Sequence, residues 1–93
     1  MSIRSFACKD TEALYEGKKP KRFRSFDYAA QRKLQMLDNA VELRDLASPP
    51  GNRLEALSGD RVGRYSIRIN RQWRICFVWT EAGPEKVEIT DYH

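Results

Sequence analysis

"RYSIRIN" (residues 64–70) and "WRICFVW" (residues 73–79) decide the architecture, because the apolar residues of both recur at every second position. Tyr65, Ile67 and Ile69 share one face of the first segment, and Trp73, Ile75, Phe77 and Trp79 share one face of the second. A period of two marks half-buried strands, and two such runs in close succession predict an antiparallel hairpin. Directly opposed residues of an antiparallel pair lie on the same face, so parity sets the register. A two-residue turn at Arg71 and Gln72 opposes Ile69 to Arg74 and mismatches every later pair. A three-residue loop, Asn70 to Gln72, opposes Ile69 to Trp73 and Ile67 to Ile75, and is the one expected. It also opposes Arg68 to Arg74 on the face away from the apolar core, where two guanidiniums repel unless an anion or a carboxylate such as Glu55 or Glu88 lies between them.

C-terminal to the hairpin, Gly83 and Pro84 in "EAGPE" predict a turn into a last strand, "KVEITDYH" (residues 86–93). One side of that strand runs Val87, Ile89, Asp91, His93, two apolar residues followed by two polar ones. N-terminal to the hairpin, "RLEAL" (residues 53–57) predicts a short strand and "SGDRVG" (residues 58–63) a loop. Ala30, Leu34, Leu37 and Val41, extended by Leu46, form one stripe of a helix expected from Ser25 to Ala47, with Ser25 as its cap and "SPPG" as its stop. A shorter helix follows Asp10, read as its cap, and ends at Gly17 and Pro20. "SIRSF" (residues 2–6) predicts a first strand. "GKKPKRFRS" (residues 17–25) has no period; its five basic residues around Phe23 read either as a solvated loop or as a basic finger along a phosphate backbone. Strand, two helices and then antiparallel strands give a single α+β domain over residues 1–93, with the helices on one face of the sheet.

Ninety-three residues, 41% of them hydrophobic, are enough for one modest core. Mean hydropathy is -0.69, and no apolar run approaches the roughly 20 residues of a membrane span. Seventeen basic against thirteen acidic residues leave a net charge of +4, concentrated in Lys18–Arg24 and Arg61–Arg74, which suits an anionic partner such as nucleic acid. Cys8 and Cys76 lack metal-type spacing and read as reduced thiols of a cytoplasmic protein.

The face of the sheet away from the helices then collects Arg68, Arg74, Glu55 and the tail Asp91, Tyr92 and His93. Arginines hold a phosphate, carboxylate and imidazole move protons, and a phenol stacks on a base or donates a proton. That set suffices for RNA cleavage without a metal or cofactor, with Glu55 or His93 as base and His93 or Tyr92 as acid. One histidine, two distant cysteines and scattered carboxylates do not form a zinc or two-metal site.

These residues carry a resemblance as well. The run "RLEALSGDRVGRYSIRINRQWRICFVWTEAGPEKVEITDYH" (residues 53–93), preceded by "AQRKLQMLDNAVELRDLASPPGNRL" (residues 30–54), resembles the HigB-type killer proteins of the RelE and ParE toxin superfamily. The resemblance implies a RelE-like fold and the toxin of a toxin-antitoxin pair, a ribosome-dependent endoribonuclease that cuts messenger RNA without a metal. It implies a helix-turn-helix antitoxin of the HigA kind, a toxin monomeric when free and a heterotetramer or larger assembly with the antitoxin. Catalytic roles map by resemblance onto Arg74, Asp91, Tyr92 and His93, with Glu55 where some HigB toxins carry histidine and Ser58 where several carry lysine. Arg61, Arg64, Arg68, Arg71, Lys21 and Arg22 are the expected phosphate contacts. A ParE-like inhibitor that binds gyrase and cuts nothing, or a small RNA-binding module, would have no need of the acid-base tail.

Overall fold

The computed structural model describes residues 2–57 and 63–91. Its centre is the hairpin of β2 (Arg64–Arg68) and β3 (Trp73–Thr80), flanked by β1 (Glu55–Ala56) and β4 (Gly83–Asp91) in an antiparallel sheet of order β1-β2-β3-β4. Ile67 opposes Ile75 and Arg68 opposes Arg74, the register expected from parity. The local cause is Asn70, whose side-chain oxygen accepts from the backbone N–H of Gln72 and of Trp73, both at 2.9 Å, closing the loop the way asparagine commonly does. β3 and β4 meet at Glu81 and Ala82. Gly83 and Pro84, expected in the turn, are instead the first paired residues of β4, opposite Thr80 and Trp79. The Thr80 hydroxyl donates to the Gly83 carbonyl at 2.7 Å and accepts from the Ala82 N–H at 3.2 Å, so the turn closes one step earlier.

The first strand expected at residues 2–6 is reduced to a parallel rung, Phe6 beside Val87, on the outer edge of β4. Arg4 and Ala7 donate to the carbonyls of Pro84 and Val87, and Val87 donates back to Ser5. The chain then enters α1 (Lys9–Tyr15), capped at Cys8 rather than Asp10, which lies in the first turn. The Thr11 hydroxyl accepts from the Ile89 N–H at 2.9 Å and ties the helix to β4. Gly17, at φ 97°, ends it in the left-handed conformation that glycine adopts without strain.

The basic segment is not the irregular stretch that its lack of period predicts. Lys21–Phe26 is a 3-10 turn, and Phe23 is fully buried. A tighter helix of about three residues per turn puts Phe23 and Phe26 on one side. Their rings lie 5.8 and 5.0 Å from that of Trp73, so the aromatic pair anchors the turn to the end of β3 and leaves Lys21 and Arg22 exposed. Phe23→Ala is expected to destabilise the protein by about 3–5 kcal/mol, a large share of the roughly 5–15 kcal/mol available to a small domain. Urea denaturation checks this, and a loss below about 1 kcal/mol would show that the turn is not anchored through its ring.

α2 spans Asp27–Asn39, capped at Phe26 rather than Ser25, and buries Ala30, Leu34 and Leu37 against the sheet. The long helix expected to Ala47 stops there. Ala40 is extended, and the Asp45 carboxylate accepts from the N–H groups of Val41 and Glu42, each at 3.0 Å, so a side chain takes the place of the helical carbonyls. A separate 3-10 turn, Leu43–Ala47, follows; Leu46 still reaches the core, whereas Val41 is 63% exposed and leaves the stripe. Both helices cover the sheet face carrying Ile67, Ile75, Phe77, Val87 and Ile89. Cys8 and Cys76 are not joined in a disulfide, and Cys76 is buried.

Candidate active site

On the other face of the sheet, Glu55 of β1 opposes Ser66 of β2, and Ser66 is diagonal to Arg74 of β3. These three side chains converge. The Arg74 guanidinium donates through Nε to Ser66 Oγ at 2.8 Å, and through Nη2 to the Arg53 carbonyl at 2.6 Å and the Ser66 carbonyl at 3.3 Å. Glu55 Oε1 lies 3.7 Å from the same Nη2. Arg74, expected on an open face, is only 9% exposed, while the Glu55 side chain is 61% exposed. A buried guanidinium is kept there by its acceptors, since hydrogen bonds to charged groups contribute about 1.5–3 kcal/mol each and an unpaired buried charge is costly. The result is a cation fixed in one orientation under a carboxylate that meets solvent.

The expected repulsion between Arg68 and Arg74 is relieved by divergence. Arg68 turns its Nε to the Asn70 carbonyl at 3.0 Å, and Glu55, not Glu88, supplies the carboxylate beside Arg74. The Arg53 carbonyl points at Arg74 because Arg53 adopts left-handed angles, φ 45° and ψ 58°. Asn52 holds that segment from inside. Fully buried, it donates through Nδ2 to the carbonyls of Leu46 at 3.1 Å and Ser48 at 3.4 Å, and accepts from Lys33 Nζ.

Glu55 and Arg74 are thus brought together, and Asp91 is not brought to them. Asp91 opposes Trp73, on the helix side of the sheet, and its Oδ2 accepts from Gln72 Nε2 at 2.9 Å; the residue opposite Arg74 is Thr90. Arg64 opposes Val78 and Arg71 is exposed in the β2-β3 loop. Arg22 pairs with Asp10 at 3.5 Å. Ser58, Arg61, Tyr92 and His93 lie outside the described residues. Ser66, Arg53 and Asn52 belong to the arrangement although no sequence motif singles them out. Ser66 was findable, because the register that pairs Arg68 with Arg74 also sets a hydroxyl diagonal to Arg74. Nothing in the composition marks Arg53 for a left-handed conformation. Among the described residues no three His, Cys, Asp or Glu side chains gather as metal ligands, and no helix is long and apolar enough to cross a membrane.

Two helices on one face of a four-strand antiparallel sheet are the fold of the RelE-type toxins. A YoeB/ParE toxin from Agrobacterium tumefaciens superposes with a TM-score of 0.57 at 19% identity, each chain covered completely, and a YoeB dimer from Staphylococcus aureus does so with the same score and identity over 100% of this chain and 97% of that one. The family model described as "RelE-like toxin of type II toxin-antitoxin system HigB" matches residues 4–93, and the chain belongs to that family. It is 44% identical to "Toxin HigB-1" of Vibrio cholerae over 78 residues, 82% of each chain. It is 34% identical to "Endoribonuclease HigB" of Proteus vulgaris over 61 residues, 66% of this chain and 65% of the relative. It is therefore a toxin of a type II toxin-antitoxin system, a class that has an antitoxin as partner.

Proposed function

We propose that this toxin is a ribosome-dependent endoribonuclease that cuts messenger RNA without a metal. The observation that carries the reading is the fixed Arg74 guanidinium beneath the exposed Glu55 carboxylate. The name of the Proteus vulgaris relative, an endoribonuclease, supports it. In this reaction the ribose 2′-hydroxyl gives its proton to Glu55, or to His93, and the oxygen attacks the adjacent phosphorus. Arg74 offsets the negative charge that grows on the non-bridging phosphate oxygens; its orientation is set beforehand by Ser66 and Arg53, so no reorganisation is needed as the charge develops. The bond to the 5′-oxygen breaks as His93 or Tyr92 protonates it, leaving a 2′,3′-cyclic phosphate and a 5′-hydroxyl. Asp91, whose carboxylate accepts from Gln72 of the β2-β3 loop, acts from the edge of the site. Arg61, Arg64, Arg68, Arg71, Lys21 and Arg22 bind phosphates of messenger and ribosomal RNA.

As a biological unit we read a single cytoplasmic domain, monomeric when free and held in a heterotetramer or larger assembly by a HigA-like helix-turn-helix antitoxin. The test is incubation with translating ribosomes, with messenger breaks and their end groups mapped, since attack by the 2′-hydroxyl and attack by a metal-activated water leave different ends. Cleavage only on ribosomes, with cyclic phosphate and 5′-hydroxyl ends, is expected. Ribosome association should also weaken steeply with salt, because each phosphate contact releases counterions. Breaks that carry 3′-hydroxyl and 5′-phosphate ends would overturn the mechanism, and intact messenger together with inhibited gyrase would replace the function.

A further inference from the structure

The outer face of α2 carries a cavity that, apart from the Lys33 ammonium, which donates to Asn52, the nuclease chemistry does not use. Ala29, Arg32, Lys33 and Met36, with Pro49 from the neighbouring turn, line a cavity of about 250 Å³. That is smaller than the roughly 300–1,000 Å³ of small-molecule sites, and its size suits one anchoring side chain. Beside it stands Tyr28, 73% exposed, with the Arg32 guanidinium 5.9 Å from its ring centroid. Arg32 has no carboxylate partner among the described residues. Lys33 is held below the ordinary lysine range by burial and, next, by the adjacent Arg32 charge. Two neighbouring cations without an acid are relieved by a carboxylate from outside. An apolar cavity lined in part by Arg and Met, with an exposed Tyr in contact with that Arg, has the composition of a protein interface core. A phosphate backbone would meet the cations but leave the Ala29, Met36 and Pro49 floor uncovered.

We propose that this face of α2 docks the antitoxin, taking one apolar antitoxin side chain into the Ala29, Met36 and Pro49 cavity and a flanking carboxylate onto Arg32 and Lys33. The partner follows from the family, and the proposal does not depend on the nuclease reading. The experiment is titration of the full-length toxin with the antitoxin encoded beside it, without RNA, for wild type, Arg32→Glu, Ala29→Trp and Tyr28→Ala. Reversing the rim charge is expected to weaken binding about 100-fold, and filling the cavity or removing the exposed ring about 10-fold or more, in line with the loss of a central anchor. Growth arrest by the free variants should stay at the wild-type level. Tyr28 and Arg32 are exposed, so these two variants keep the test valid if Ala29→Trp fails to fold. Wild-type antitoxin affinity in Arg32→Glu and Tyr28→Ala would overturn the proposal, as would unchanged antitoxin affinity with weakened ribosome binding, which would assign the face to RNA.

Discussion

Arg74→Ala is expected to remove messenger cleavage by about 10²- to 10³-fold or more, the usual loss when a fixed donor facing developing charge is deleted. The reasoning rests on immobilisation. Three hydrogen bonds and Glu55 hold the guanidinium, so the side-chain freedom that a flexible arginine would lose on meeting a phosphate is already gone. The same bonds give the substitution a structural cost that its place in the strand pattern did not suggest. Truncation leaves the Ser66 hydroxyl and the Arg53 carbonyl without their donor, at about 1–3 kcal/mol for each buried group left unsatisfied. Rates are therefore to be compared well below the melting temperature, beside a denaturation curve. Arg74→Lys separates the two effects. It restores charge but not the fork that reaches Ser66 and Arg53 together, so it should recover part of the stability and little of the cleavage. Full cleavage by a folded Arg74→Ala toxin would remove Arg74 from the site, and parallel recovery of stability and rate in Arg74→Lys would make its role structural.

Truncation after Tyr92 is expected to lower cleavage by about 10²- to 10⁴-fold, the usual contribution of one positioned acid or base. His93 is the sole histidine, and histidine alone among the side chains here ordinarily titrates near neutrality, so it can protonate a leaving 5′-oxygen where lysine or arginine cannot. The loss falls to the low end of the range if Tyr92 takes over as acid. Removing the last residue leaves Val87 and Ile89, the buried residues of β4, in place, so the melting temperature should hardly move. The readouts are growth arrest and ribosome-bound messenger breaks. Wild-type activity in the truncated chain would dismiss His93 as the acid; lost activity at an unchanged melting temperature supports it.

The parts of this protein legible in its sequence are those governed by neighbours along the chain. The β2-β3 register follows from side-chain alternation and a three-residue loop, and Asn70 closes that loop with bonds reaching only two and three residues on. The stop of α1 at Gly17 and the buried stripe Ala30, Leu34 and Leu37 are equally local, because one follows from a backbone angle and the other from helical pitch. Tertiary structure decided what lies farther apart. Helical period alone carries α2 on to Ala47, and Asp45 ends it by competing for the backbone N–H groups of Val41 and Glu42. Phe23 reads as one more residue of a basic loop until Trp73, fifty positions on, supplies the ring it packs against. The arginine at the proposed site shows the same division. Parity places Arg74 opposite Arg68 and away from the core, but its burial depends on an Arg53 carbonyl turned by a left-handed residue and on Glu55 arriving on β1. Asp91, two residues from His93 in the chain, stands across the sheet from Arg74, because alternate residues of a strand face opposite ways and its pairing with Trp73 fixes which way it faces.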